Sequence, residues 1–284
     1  MTWQLFVGFS VLLFSLNGLF HRVLMKEENS DPYAQTIAFY GLGGIFALVI
    51  SLFRGGFHYQ ISLNQLPFFL LLIIFATAAP VLAFKALKLI EASESSILLS
   101  SQRLWLVLGA FIFLHESFSF QKLIGTIIIL LGIMLAQWKK QRFVFNQGAF
   151  FVLLAAISYA IAEIISFFIL RNFDTTSFSV YNALLPVFVL IIIFPKTLKK
   201  LNFYLKPKRA LNISLVSLND TLATIFLFFA YQIGRNASQI GPLMATQTII
   251  SVLLAILILK EKNNFLNKII GASLVVVGVI LVIR

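Results

Sequence analysis

The stretches ASESSILLSSQRLWLVLGAFIFLHE (residues 92–116) and ASQIGPLMATQTIISVLLAILILKE (residues 237–261) are two versions of one pattern. Aligned at an offset of 145 positions, Ala92, Ser93, Leu98, Gln102, Val107, Leu108, Ala110, Leu114 and Glu116 each meet an identical residue. Past a one-residue insertion, Gly125 and Gly132 meet Gly271 and Gly278, with the same spacing of seven. Two oily stretches share Leu and Val through composition alone. Sharing a glutamine, a glutamate and a glycine pair in the same order points to an internal repeat.

Both copies sit within apolar runs, and such runs recur along the chain. A helix needs about 20 apolar residues to cross the hydrocarbon core of a bilayer. Runs of that kind lie near 3–24, 34–53, 66–88, 95–114, 119–138, 147–170, 177–195, 211–231, 238–259 and 265–283. Five runs fall in each half. After an odd number of crossings the second half starts from the opposite face, so the halves are inverted. Inverted repeats are a hallmark of secondary transporters, whose sites lie near the midplane between the repeats. The expected fold is therefore an all-α integral membrane protein, with ten transmembrane helices built as two inverted five-helix repeats, 1–142 and 143–284.

Composition agrees. Of the 284 residues 60% are hydrophobic and 11% charged, against about 45–50% and 25% in soluble domains. The net charge of +12 would suit a nucleic-acid binder. Here, however, the basic residues lie mostly between apolar runs, where they orient the chain and meet anionic headgroups. No nucleic-acid partner is expected. The first run lacks a basic n-region and a small-residue cleavage site, and is read as a retained helix. There are no cysteines, which excludes disulfides, thiol catalysis and thiolate metal sites. Neither a metalloprotease H-E-x-x-H, a phosphate-binding glycine loop nor G-x-S-x-G occurs. His115-Glu116-Ser117 is a lone His–Glu pair in a turn. No enzyme, cofactor or metal site is expected.

The repeated unit, an Ala-containing turn, a polar mid-helix residue, an apolar helix ending in Glu and then a helix with G-x6-G, ends as LHESFSFQKLIGTIIILLG (114–132) and LKEKNNFLNKIIGASLVVVG (259–278). It resembles the EamA family of the drug/metabolite transporter superfamily over essentially the whole chain. The resemblance implies two five-helix halves and a carrier of small metabolites in the cell membrane, often an exporter of amino acids or related zwitterionic or anionic compounds. Phe14 stands where that family carries Trp on its first helix, and Asp220 where it carries a small residue on its eighth.

Arg103 lies in the middle of a span. A guanidinium stays charged at any ordinary pH, and placing one at the bilayer centre costs about 2.5–3.5 kcal/mol on insertion scales. It shares a helix face with Ser96 and Ser100. It either lines a watery cavity, where it attracts a carboxylate or phosphate, or forms an internal ion pair. Glu163 and Asp220 are its possible partners and also the candidates for proton coupling. Tyr159 and Ser166 share the face of Glu163, and Thr224 lies one turn beyond Asp220. Ser10, Phe14, Asn17 and His21 form a stripe on the first helix. Gln102 and Gln247 are repeat equivalents, the second flanked by Thr246 and Thr248. Tyr40, Phe84 and Tyr181 complete the candidate substrate-binding set. Pro80 and Pro186 fall inside spans, while the run Gly41–Gly44 and the two G-x6-G pairs read as packing surfaces. The expected partners are a small-molecule substrate and the bilayer, with the protein a monomer or homodimer.

Basic residues in short loops mark the cytoplasmic side. Loops after odd-numbered spans hold 16 Lys and Arg residues, six of them between Lys196 and Arg209. The other loops and the C-terminus hold five: Arg54, Lys122, Arg171, Arg235 and Arg284. The count places both termini outside, whereas the family resemblance implies both inside. Two further readings differ in kind. In one, the acids bind a cationic drug and Arg103 is structural. In the other, the protein is a non-transporting assembly or receptor subunit whose interior is filled by side chains.

Overall fold

The computed structural model describes residues 2–24, 31–90, 95, 98–116, 119–137, 146–204, 206–259 and 265–283, with side-chain surroundings for all of these except 18–24, 137, 252, 255–259 and 265. Among the described residues the regular structure is wholly helical. The helices are α1 (Trp3–Leu24), α2 (Pro32–Phe53), α3 (Leu66–Leu87), α4 (Gln102–Phe113), α5 (Phe120–Gln137), α6 (Gln147–Ile169), α7 (Thr175–Ile193), α8 (Pro207–Gly234), α9 (Ala237–Leu259) and α10 (Phe265–Ile283). A 3₁₀ helix, Pro195–Phe203, joins α7 to α8. Among the described residues six helices are long and apolar enough to cross a membrane: α2, α3, α6, α7, α8 and α10. Their outward faces carry large apolar side chains such as Leu70 and Ile74, Phe188 and Ile192, and Val276 and Ile280, a surface that suits lipid rather than water.

One expectation needed correction. The connection from Lys196 to Arg209, read as a loop, contains the 3₁₀ helix and the first turn of α8. Pro207 starts that turn with its φ already set for a helix, and hydropathy is blind to helix that is not apolar. The boundary at 142/143, together with Lys26, Lys139, Lys140, Arg142, Lys260, Glu261, Lys262 and Arg284, lies outside the described residues. Ser96 does as well, and the side chains of His21 and Arg22 are not among those described.

The helices pair across the two halves of the chain. The main pairs are α5 with α10, α3 with α6, α1 with α8 and α2 with α7; α4 lies against α6 and α9, and α1 against α9. Exchanging helix n for helix n+5 turns each of these pairs into another of them or into itself. At the α5–α10 crossing the repeated glycines meet. A Cβ on Gly125 would lie 2.8 Å from the carbonyl oxygen of Gly278, and one on Gly132 would lie 2.6 Å from that of Gly271. The lower number meets the higher each time, so α5 and α10 run antiparallel. The Gly41–Gly44 run also serves packing: a Cβ on Gly43 would come within 3.0 Å of Thr221 on α8, and one on Gly44 would collide with Leu184 on α7.

The repeated glutamate has a cross-half role. After α4, His115 takes a left-handed backbone (φ 55°) that ends the helix. Glu116 then turns its carboxylate onto the start of α9, accepting from the N–H groups of Ala237 (2.6 Å) and Ser238 (3.0 Å). The first N–H groups of a helix have no partner within it, and an anion there also suits the helix dipole. Removing this cap by Glu116→Ala is expected to cost about 1 kcal/mol. Thermal unfolding in detergent checks it; an unchanged midpoint would assign the cap no energetic weight. His115 and Glu116 are thus a helix stop and a cap. No group of three or more His, Cys, Asp or Glu side chains gathers among the described residues.

Candidate functional site

A polar axis runs through the apolar interior, and most of the expected residues lie on it. At one end is Arg103, only 7% exposed. Its Nη1 donates to both carboxylate oxygens of Glu163, at 3.0 and 2.9 Å. Gln102 Nε2 donates to Glu163 Oε1 at 2.7 Å. Tyr231 on α8 donates its hydroxyl to Glu163 Oε2 at 3.1 Å. The charge that made Arg103 costly in a bilayer is therefore neutralised inside the protein, by a carboxylate that ties α4, α6 and α8 together. Of the two expected partners for Arg103, Glu163 is the one it meets.

Tyr159 stands one turn before Glu163 on α6, and its hydroxyl lies near that of Tyr40 on α2. Both tyrosines lie within electrostatic reach of Asp220. Asp220 Oδ1 accepts from Asn17 Nδ2 at 3.0 Å, and Asn17 Oδ1 accepts from Asn219 Nδ2 at 2.7 Å. Asp220 and Tyr231 lie eleven residues apart, about 16 Å along the axis and close to three full turns. One face of α8 therefore carries both the Asp220 centre and the Tyr231 contact to Glu163. The axis draws on α1, α2 and α4 from one half and on α6 and α8 from the other.

Beside Asp220 lies a cavity of about 30 Å³ between α2, α7 and α8. At about 10–15 Å³ per water it holds roughly two, and is far smaller than a pocket of about 300 Å³ or more for a metabolite. Asp220, Tyr40 and Thr224 line it, together with Ser179, Asn182, Ser217 and Thr221. The last four were missed from sequence. On α8 the signal was present: Ser217, Asp220, Thr221 and Thr224 recur at helical spacing, forming one polar stripe of which only two members were read.

The remaining expected residues lie elsewhere. Phe14 is half-buried against the main apolar core. Phe84 is half-buried on α3 and does not line the cavity. Tyr181 lies toward the α2–α3 connection, its hydroxyl donating to Tyr59 O at 2.8 Å and its ring packed on Phe69. The two equivalent glutamines behave differently. Gln102 is bound to Glu163, whereas the buried side-chain oxygen of Gln247 finds no partner among the described residues.

The profile of the EamA-like transporter family matches residues 1–138 and again 146–284. The chain belongs to this family. It is accordingly a multi-pass membrane protein of the drug/metabolite transporter superfamily, and its relatives are transporters rather than enzymes. No curated protein matches the chain closely enough to count as a relative. One solved structure, described only as a crystal structure of a protein, superposes with a TM-score of 0.78 at 18% identity, covering 98% of this chain and 95% of that one. That likeness shows the fold alone and carries nothing about substrate.

Proposed function

We propose that the protein is a secondary transporter of small metabolites in the cell membrane, built from ten crossings in two inverted halves, 1–142 and 143–284, and working by alternating access. The exchange pattern of helix pairs and the antiparallel glycine crossing of α5 with α10 support the inverted arrangement. The solute passes along the polar axis, and in this conformation the route is closed down to the water-sized cavity beside Asp220.

One observation carries the substrate reading. Among the described residues Asp220 is the only charged one lining the cavity, while Arg103 is occupied by Glu163. The solute or its co-transported ion therefore brings a positive charge to Asp220. Amino acids and related amines meet that requirement through their ammonium group. An anion held by Arg103 would first have to displace Glu163, and Arg103 is here a framework residue. Asp220 also remains the better of the two acids for exchanging a proton, since Glu163 is committed to the arginine.

The test is counterflow in proteoliposomes with amino acids, simple amines and cationic drugs. Asp220→Asn is expected to lower the rate by about 10- to 100-fold, the loss of a hydrogen bond to a charged group being about 1.5–3 kcal/mol. Folding is retained, since the amide oxygen still accepts from Asn17. Counterflow of a solute that is indifferent to Asp220→Asn would defeat the assignment of this residue, and silence across the panel would count against transport of these classes.

A further inference from the structure

Three hydroxyls that line the cavity between α2, α7 and α8 meet it as acceptors. Each hydroxyl has one proton to give and two lone pairs to offer. Ser179 gives its proton to Thr175 O (2.9 Å), Ser217 to Phe39 O (2.6 Å) and Thr221 to Ser217 O (2.8 Å), with Gly43 O at 3.3 Å. All three protons are spent on backbone carbonyls, so these side chains offer lone pairs. Asp220 adds a carboxylate of which only Oδ1 is engaged, by Asn17. Among the described residues no Lys, Arg or His lines the space, and Tyr40, Asn182 and Thr224 complete its polar wall. The result is a cluster of acceptor oxygens around one carboxylate, with room for about two water-sized bodies.

A buried carboxylate is stable only when paired or neutralised, and hard cations take oxygen ligands of this kind. We propose that the cavity is a binding site for one compact monovalent cation, either Na⁺ or the primary ammonium head of a solute, held by Asp220 with the hydroxyl oxygens of Ser179, Ser217 and Thr221. The inference rests on the reading of Asp220 as the charged group of the transport route. A single carboxylate leaves a divalent ion under-neutralised, and the volume excludes a quaternary ammonium. Spending these three hydroxyl protons on the backbone leaves their oxygens as acceptors, which favours a cation over an anion beside Asp220.

The experiment is thermal unfolding of the purified full-length protein in tetramethylammonium chloride, exchanged stepwise for NaCl or methylammonium chloride at constant ionic strength. A cation that binds the folded protein raises the midpoint with its concentration. The expected result is a saturable rise with at least one of the two, abolished by Asp220→Asn. Ser217→Ala and Thr221→Val should each weaken the apparent affinity about tenfold, one ligand oxygen being worth about that factor. A response to Na⁺ identifies a coupling ion; a response to methylammonium alone identifies the solute head group. No rise with either cation overturns the proposal, as does a rise whose affinity is unchanged in the hydroxyl variants. If wild-type counterflow persists while both salts are silent, the cation site fails and the carrier reading stands.

Discussion

Glu163→Ala lowers the stability of the bundle by about 3–5 kcal/mol, the cost of removing one partner from a buried ion pair. The arginine cannot escape by losing its proton. At 7% exposure it is left charged without its carboxylate, and Gln102 and Tyr231 lose their acceptor at the same time. Arg103→Met is expected to cost a similar amount, since it strands the carboxylate instead. The double variant Arg103→Met/Glu163→Leu should recover most of the loss, because a buried pair replaced by apolar side chains of similar volume is often neutral or better. Thermal or chemical unfolding in detergent measures all three. If the double variant costs the sum of the singles, the two residues are uncoupled and Arg103 owes its place to something else. The same variant separates structure from transport: refolded but inactive protein would return Arg103 to the solute, and active protein would keep it in the framework.

What the sequence reveals about this pair follows from how each feature is encoded. Span positions and the repeat are local properties of composition and order, so they can be read along the chain. The partnership of Arg103 with Glu163 rather than Asp220 joins residues sixty positions apart, and nothing in helical periodicity chooses between the two acids. Tyr231 was missed because aromatic residues are abundant here, 14% of the chain, and only the three-turn interval from Asp220 marks it out. Ser217 and Thr221 were missed for a different reason. Small hydroxyl residues in membrane helices commonly bond their own backbone or pack at interfaces. Thr221 bonds its own helix and Ser217 the backbone of α2 across the interface, and their second role appears only when the destination of each proton is known. Glu116 was noted as the end of a repeated motif, but its cap on the other half of the molecule needed the fold. His115, in the same motif, is a helix stop, which a lone histidine in a turn does not announce.

Gly271→Leu is expected to leave no monodisperse folded protein. Even a bare Cβ at Gly271 would lie 2.5 Å from Gly132 O and 2.8 Å from Ala136 N. Those are backbone atoms, which cannot rotate away as a side chain can, so α5 and α10 must separate along their whole contact. Alanine is the finer probe. Gly125→Ala, Gly278→Ala and Gly271→Ala should each cost about 1–3 kcal/mol from overpacking. Gly125 faces Gly278 and Gly132 faces Gly271, and seven residues separate the two crossings by about 10.5 Å. Gly125→Ala with Gly278→Ala should therefore cost clearly less than the sum, since the first methyl has already opened the crossing that the second would fill. Gly125→Ala with Gly271→Ala strikes two crossings and should add within about 0.5 kcal/mol. A parallel arrangement of the two repeat-equivalent helices reverses this, pairing Gly125 with Gly271. The sign of the cycle thus reports from stability alone whether equivalent helices run in opposite directions, which is what an inverted repeat requires of a carrier that exposes one site to each face in turn.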